Sequence, residues 1–309
     1  MRKLSIQMIT PPFLKKNSLV GLVSPAAGIN ASVIENAVTY LETRGFRTIV
    51  APHAADVFRQ FASTDKHRAD DLQAMLNNSD VEAIWCTRGG YGAIRLLDML
   101  NFSCLKKQPK WLIGFSDITA LHAAFRREGI ASIHGAMCKN LKDYDAAYCG
   151  MNALWQLLAG NVSEYKVPCH PFNRDGMAKG TLVGGNLTLL CALQGSEYDF
   201  DPTGKILFIE EVGEYLYRLD RMMQSLKVAG KLARLSGLIV GGMSDMFDNE
   251  TPFAQSAYDV IADAVSSYSY PVLFDFPAGH LETNMPLMLG AEIRMEINGN
   301  NGSTISWLR

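Results

Sequence analysis

The stretch Trp111–Thr119, WLIGFSDIT, carries the most informative local pattern in the chain. It begins with an apolar run of the length of a buried strand, passes Gly114 and Ser116, and continues into Asp117–Arg127, where apolar residues recur at helical spacing. A tight turn between a buried strand and a helix lifts a serine hydroxyl off the sheet, next to the N–H groups of the helix start. We therefore interpret Ser116 as a candidate nucleophile.

Ser116 also has a structural interpretation. A serine followed by an aspartate at a helix start is typical of an N-cap. The nucleophile pattern G-x-S-x-G is moreover incomplete, because Ile118 stands where its second glycine would be. Helix caps greatly outnumber nucleophiles, so other parts of the chain have to decide between the two.

Short apolar strands alternate with helical segments through the first 160 residues. The strands are predicted at Leu19–Ser24, Thr48–Ala51, Val81–Cys86, Trp111–Ile113 and Ala131–His134. This alternation predicts a parallel sheet covered on both faces, which binds ligands beyond the carboxyl ends of its strands. Ser24, Arg88-Gly89-Gly90 and Ser116 all fall at such ends, which favours a site there.

The pattern lapses over residues 161–179, where prolines and asparagine suggest a linker. We therefore predict an α/β fold with an N-terminal parallel-sheet domain over residues 1–160 and a smaller mixed α/β domain over residues 180–309. In the second domain a strand is predicted at Lys205–Ile209, a helix at Leu216–Leu235, and a terminal hairpin around Asn298–Gly302.

The composition excludes several classes of protein. A net charge of −2 argues against a nucleic-acid or anionic-membrane partner, which usually requires a basic surface. The N-terminus has no sustained apolar run, so we expect neither a signal peptide nor a membrane span, and a cytoplasmic location by default. The six cysteines are scattered and are expected to be reduced thiols.

A serine nucleophile needs a base and a group that orients the base. The best candidate base is His280, which follows an apolar strand and a Pro-Ala-Gly turn; a structural histidine is the alternative. Glu210 and Glu211 follow the strand Lys205–Ile209, so alternation would direct one into a site and the other to solvent or a partner. A salt bridge to Arg218 or Arg221 would be the structural alternative.

Gly89 and Gly90 let the backbone approach a ligand and aim an N–H group at an oxyanion. The run G-G-Y-G-A does not match the dinucleotide fingerprint G-x-G-x-x-G, so no nucleotide cofactor is expected. Histidine, aspartate and glutamate residues show no metal-ligand spacing, so no metal is expected either.

Taken together and in order, these motifs resemble the LD-carboxypeptidase family of serine peptidases, which also contains the microcin-C immunity peptidases. The resemblance runs from about Leu19 to about Glu296. Its motifs are Arg88-Gly89-Gly90-Tyr91-Gly92, Gly114-Phe115-Ser116-Asp117, His134-Gly135, Gly184-Gly185-Asn186-Leu187, Phe208–Glu214 with Tyr217-Arg218 and Arg221-Met222, and Gly279-His280.

The resemblance implies a Ser–Glu–His triad of Ser116, Glu210 and His280, in a site at the interface of the two domains. It implies an oxyanion hole from the backbone N–H groups of Gly90 and Asp117. The implied reaction removes the terminal D-alanine from murein tetrapeptides in cell-wall recycling, without a cofactor, in a homodimer.

A carboxypeptidase must also bind a free carboxylate, for which Arg88, Lys139 and Arg218 are the candidates. Two alternatives stay open. An immunity-type peptidase would hydrolyse peptidyl-nucleotide amides with the same triad, and Tyr215 and Tyr217 could serve its nucleobase. A murein-peptide binding protein would have kept the fold and lost the activity.

Overall fold

The structure is a computed structural model that describes residues 7–141, 149–299 and 301–308. The chain forms two compact units. The first contains residues up to Asn161 together with Met285–Gly290, and the second contains Val162–Asn284 and the chain from Ala291 onward.

A six-stranded sheet forms the centre of the first unit, in the order β11-β5-β4-β3-β1-β2. Its strands are β1 (Leu19–Val23), β2 (Arg47–Val50), β3 (Val81–Cys86), β4 (Trp111–Gly114), β5 (Ser132–His134) and β11 (Leu287–Leu289). The first five strands are parallel, as the alternating pattern predicted. β11 is the exception, since it comes from the C-terminal part of the chain and pairs antiparallel with β5.

Helices connect the parallel strands of this sheet and follow the last of them, β5. They are α1 (Ala31–Thr43), α2 (Asp65–Asn77), α3 (Thr119–Arg127) and α4 (Cys149–Leu158), with 3₁₀ helices at Ala93–Met99, Ser103–Lys106, Ser116–Ile118 and Cys138–Asn140. The segment after Gly92 forms a 3₁₀ helix, which begins directly after a glycine with a φ of 131°.

A seven-stranded mixed sheet forms the centre of the second unit, in the order β10-β9-β8-β7-β12-β13-β6. Its strands are β6 (Glu164–Val167), β7 (Gly176–Asn186), β8 (Ile206–Val212), β9 (Gly237–Ser244), β10 (Val272–Leu273), β12 (Glu292–Asn298) and β13 (Gly302–Trp307). β7 to β10 are parallel, and β12 and β13 form the predicted terminal hairpin.

Three α-helices of the second unit pack apolar side chains against this sheet: α5 (Leu187–Ala192), α6 (Leu216–Val228) and α7 (Ala257–Ala264). α6 was expected to continue to Leu235. It ends seven residues earlier because Gly230 takes a φ of 69°, a left-handed conformation that closes helices, and a 3₁₀ turn follows at Leu232–Arg234.

Residues 161–179 do not form the linker expected from the sequence, since β6 and the first part of β7 lie within them. β6 is short, and only Tyr165 and Val167 bury their side chains. β7 is rich in glycine because its backbone runs close to other chain segments. A Cβ atom at Gly180 would lie 2.5 Å from the carbonyl oxygen of Gly204, and one at Gly184 would lie 1.9 Å from that of Phe208.

Within the described residues, none of the helices combines the length and the apolar character needed to cross a membrane. The cysteines whose side chains are described are free thiols: Cys86, Cys104, Cys138, Cys169 and Cys191. Cys86 and Cys138 are fully buried, and burial raises the pKa of both thiols far above the usual value. The side chain of Cys149 lies outside the described part of the chain.

Candidate active site

Ser116 lies at a sharp turn directly after β4. Phe115 is extended, and Ser116 then takes a φ of 65°, in the left-handed region that residues other than glycine rarely occupy. It is the one residue from Trp111 to Phe125, all of which are described, that is not buried. The N-cap positions of the two following helices are Phe115 and Ile118, so Ser116 is not a helix cap. Strain at an accessible hydroxyl is typical of functional sites.

Glycines at both neighbouring strand ends make room for this turn. A Cβ atom at Gly89, just beyond β3, would lie 3.0 Å from Cβ and 3.2 Å from Oγ of Ser116. A Cβ atom at Gly114 would lie 3.0 Å from the side chain of Ile118. Ile118, which stands where the pattern G-x-S-x-G has its second glycine, therefore packs its side chain on Gly114.

Gly90 follows with a φ of 102°, and a Cβ atom there would lie 2.6 Å from that of Ala27. Its conformation therefore requires glycine. Because Gly89 contacts Ser116, the next peptide group, Gly89–Gly90, lies close to the candidate nucleophile, which is compatible with the predicted role of the Gly90 N–H group.

The side chain of Asp117 links the serine turn to the segment that follows Gly90, through a hydrogen bond to Ala93. The sequence did not reveal this role. The Asp117 side chain is 1 % exposed, and Oδ2 accepts a hydrogen bond of 2.7 Å from the backbone N–H of Ala93. Burial away from water disfavours the charged form and raises the pKa of this carboxyl group to about 6, although its hydrogen bond to the Ala93 N–H and the nearby Arg68 act in the opposite direction.

Two of the three candidate carboxylate-binding residues, Arg88 and Lys139, line one open cleft of about 620 Å³ together with Gly90. Arg88 donates a hydrogen bond of 2.9 Å from Nη1 to the carbonyl oxygen of Gly28. The backbone N–H of Lys139 donates to the carbonyl oxygen of Thr87 at 2.9 Å. Both cations are thereby anchored at an edge of the cleft that contains Gly90.

In the second unit, Glu210 and His280 form a hydrogen-bonded pair, with 2.8 Å between Oε2 of Glu210 and Nδ1 of His280. Glu210 is fully buried, whereas the His280 side chain is 23 % exposed. A carboxylate can only accept hydrogen bonds, so it holds the ring proton on Nδ1 and leaves Nε2 as the basic nitrogen. This is the arrangement that orients a general base.

The loop around His280 is built to hold this pair. His280 was expected at a strand end, but β10 ends at Leu273 and the histidine lies in the irregular segment that follows. The buried Asn284 accepts a hydrogen bond of 2.9 Å from the backbone N–H of Gly279. Gly279 has a φ of 108°, and a Cβ atom there would lie 2.7 Å from Oε2 of Glu210.

Glu210 and Glu211 lie within β8 and not after it. A register irregularity in the pairing of β8 with β9 occurs between Ile209 and Glu211. Glu211 was expected to face solvent or a partner, but it is 3 % exposed. It accepts hydrogen bonds of 2.9 Å from Asn186 Nδ2 and 2.8 Å from the backbone N–H of Thr188, so it fixes the start of α5. Burial raises its pKa.

Arg218, the third candidate for binding a carboxylate, lies on α6 in the second unit. Its Nη1 is 3.6 Å from Oε2 of Glu214, and Nε donates to the hydroxyl of Tyr217 at 3.1 Å. The arginine therefore pairs with Glu214.

No metal site was expected from sequence spacing. Within the described part of the chain, however, His53, Asp56 and His67 form a group whose possible ligand atoms lie within 4.8 Å of one another. Spacing could not indicate this group, because its members come from a loop and from the first turn of the next helix.

Comparison with known proteins supports the resemblance found in the motifs. A model described as the LD-carboxypeptidase N-terminal domain matches residues 20–135, and one described as the LD-carboxypeptidase C-terminal domain matches residues 179–295. The murein tetrapeptide carboxypeptidase of Pseudomonas aeruginosa is 31% identical over 90% of this chain and 93% of its own.

Solved structures give the same result. The muramoyltetrapeptide carboxypeptidase from Oxalobacter formigenes has a TM-score of 0.85 at 26% identity, covering 94% of this chain and 99% of its own. The microcin C7 self immunity protein MccF, in complex with aspartyl sulfamoyl adenosine, has a TM-score of 0.84 at 20% identity, covering 97% of this chain and 99% of its own; it shares the fold. The chain therefore belongs to the LD-carboxypeptidase family of peptidases.

Proposed function

We propose that this protein is a serine LD-carboxypeptidase that removes the terminal D-alanine from murein tetrapeptides, with Ser116 as nucleophile, His280 as general base and Glu210 as its orienting carboxylate. The observation that carries this proposal is the left-handed φ of 65° at Ser116, on an accessible turn between a buried strand and a helix. The hydrogen-bonded Glu210–His280 pair supports it from the second unit.

In the proposed mechanism, Oγ of Ser116 attacks the carbonyl carbon of the scissile amide while Nε2 of His280 takes the hydroxyl proton. His280 then donates this proton to the leaving amine of D-alanine, and water hydrolyses the acyl-enzyme by the reverse sequence. Glu210 stabilises the imidazolium that forms in each half-reaction. The backbone N–H groups of Gly90 and Asp117 receive the oxyanion, with a contribution of about 3 kcal/mol per donor.

The carboxylate of the terminal D-alanine needs a cation near the nucleophile. Arg88 and Lys139 lie on the cleft that Gly90 also lines, whereas Arg218 pairs with Glu214. We therefore favour Arg88, whose guanidinium can bind a carboxylate through two hydrogen bonds, over the other two candidates.

The test is D-alanine release from purified murein tetrapeptide by the wild-type protein and by Ser116→Ala, His280→Ala and Glu210→Gln. We expect losses of about 10⁴–10⁶-fold in kcat for the serine and histidine variants and about 10⁴-fold for the glutamine variant. Ser103→Ala, an exposed serine of the same unit, is the matched control and should retain full activity. Release that persists in Ser116→Ala would remove the proposed nucleophile.

One surface feature favours a second candidate substrate. The ring centroids of Tyr215 and Phe247, both partly exposed, lie 5.6 Å apart with the ring planes tilted by 46°, and the ring centroid of Tyr217 lies 5.7 Å from that of Tyr215. Such an aromatic surface can hold a nucleobase. The same assay should therefore include an aminoacyl-sulfamoyl nucleoside. Its hydrolysis by a wild-type protein that releases no D-alanine would assign the immunity-type reaction, whereas turnover of neither substrate would favour a binding protein.

The cytoplasmic location and the homodimer stay predictions.

A further inference from the structure

We propose that His53, Asp56 and His67 bind a divalent transition metal ion, for which Zn²⁺ is the best fit, and that this ion fixes the loop that forms one wall of the Gly90 cleft. The three residues offer two imidazole nitrogens and one carboxylate oxygen within 4.8 Å of one another. Two nitrogens, one oxygen and a water complete a four-coordinate zinc site. Mg²⁺ and Ca²⁺ prefer oxygen ligands only.

The hydrogen bonds around His53 prepare its ring for a metal. Nδ1 of His53 lies 2.8 Å from Oδ1 of Asp71, and Oδ2 of the same carboxylate accepts from the His53 backbone N–H at 3.0 Å. Asp71 is itself buried. Because the carboxylate accepts the Nδ1 proton, Nε2 is the nitrogen that carries a lone pair. A carboxylate behind a histidine in this way is the usual outer partner of a zinc-binding histidine.

His67 is prepared in the same way by Ser63. The buried Ser63 hydroxyl donates to Oδ2 of Asp56 at 3.3 Å, so its oxygen accepts from Nδ1 of His67 at 3.0 Å. This again places the ring proton on Nδ1 and the lone pair on Nε2. The two imidazole rings stack with 4.0 Å between centroids. Ligand atoms around a tetrahedral zinc ion lie about 3.3 Å apart, so metal binding would tilt the rings out of the stack and draw the Asp56 carboxylate inward.

The position of the group suggests what the ion does. His53 and Asp56 precede a small hairpin in which Phe58 and Phe61 exchange backbone hydrogen bonds, and His67 follows it in the first turn of α2. The group therefore joins the two ends of the hairpin at its base. The hairpin carries Val57, Arg59 and Gln60, which line the cleft with Gly90. A bound ion would hold that wall in place.

The test is metal binding to the full-length protein after chelator treatment, with Zn²⁺ alone as the probe. We expect about one Zn²⁺ per chain by titration calorimetry and elemental analysis, and a melting temperature several degrees higher with saturating metal. When Co²⁺ is bound instead, the visible absorption spectrum should be that of a four-coordinate ion. His67→Asn should weaken binding at least 100-fold, and Asp71→Asn about 10–100-fold. Asp70→Asn, an exposed carboxylate on the same helix, is the matched control and should bind like the wild type.

Circular dichroism of each variant without metal separates loss of binding from loss of folding. His67→Gln is the second variant, to be used if the asparagine variant does not fold. Limited proteolysis at Arg59 should slow on adding Zn²⁺ to the wild type and not to His67→Asn. Failure of the wild type to bind Zn²⁺, or an unchanged Zn²⁺ affinity in both His67 variants, would overturn the proposal. None of these measurements depends on the proposed peptidase activity.

Discussion

Replacement of Asp117 by asparagine should change the stability of the protein, relative to wild type, by an amount that depends on pH in a defined way. The Asp117 carboxyl is buried beside the serine turn, and burial raises its pKa from 3.8 to about 6. Asparagine has nearly the same shape, and its amide oxygen can still accept the hydrogen bond from the Ala93 N–H. The substitution therefore removes the titration and keeps the contact.

The magnitude follows from the two pKa values. Below the unfolded pKa of 3.8 the carboxyl is protonated in both states and contributes no pH dependence. Between 3.8 and about 6 the unfolded chain ionises while the folded protein keeps its proton, so stability falls as pH rises. Well above pH 6 no further stability is lost. The total loss in the free energy of unfolding is about 3 kcal/mol for a pKa shift of about two units. The stability difference between Asp117→Asn and wild type should therefore change by about 2 kcal/mol in favour of the variant from pH 4 to pH 7, since part of the total is already lost at pH 4.

Urea unfolding followed by tryptophan fluorescence measures this difference. Three of the four tryptophans, Trp85, Trp111 and Trp155, lie in the first unit, so the signal reports mainly on the unit that contains Asp117. Asp98→Asn, which removes an exposed carboxylate from the 3₁₀ helix that begins at Ala93, is the matched control. A pH-independent difference for Asp117→Asn, or one that shrinks as pH rises, would show that Asp117 is not a buried carboxyl with a raised pKa.

Two further predictions concern backbone conformation. Ser116→Gly and Ser116→Ala both remove the hydroxyl, but only glycine relieves the φ of 65°, so thermal melting should show the glycine variant to be about 1 kcal/mol more stable; equal stabilities would mean that the turn is unstrained. Gly279→Ala should cost more than 2 kcal/mol in chemical denaturation and reduce kcat at least 100-fold, because its Cβ would displace the Glu210 carboxylate. Gly230→Ala, at a φ of 69° with nothing within 4 Å, is its control and should cost only about 1 kcal/mol with full activity retained.

The sequence predicted those features that depend on local patterns. Alternating short strands and helices identified the parallel sheet, and the strand–Gly–x–Ser order placed Ser116 at its turn. The apolar run before Glu210 and Glu211 indicated that one of the two glutamates enters a site, and the family resemblance singled out Glu210. Its neighbour Glu211 was misjudged, since β8 is an inner strand of its sheet and is buried from Ile206 to Glu211, which depends on the segments that cover it.

Features that depend on distant contacts were missed. Prolines and asparagine made residues 161–179 look like a linker, although β6 and the start of β7 form there by pairing with strands from the C-terminal part of the chain. Two further features arise from contacts between segments that no sequence spacing connects. They are the hydrogen bond from the Ala93 N–H to Asp117 and the group of His53, Asp56 and His67. The roles assigned to the triad, the oxyanion donors and the carboxylate-binding cations stay predictions.

The antiparallel strand β11 has a consequence for the biosynthesis of the protein. β11 belongs to the first unit but is encoded after nearly all of the second. During translation, the outer edge of β5 therefore stays without its neighbour until residues 287–289 have left the ribosome. An open strand edge is a template for pairing with other chains, and the late closure spans a long stretch of polypeptide. We expect the N-terminal half to need either the complete chain or a chaperone to avoid aggregation, and truncation after Asn161 to yield insoluble protein.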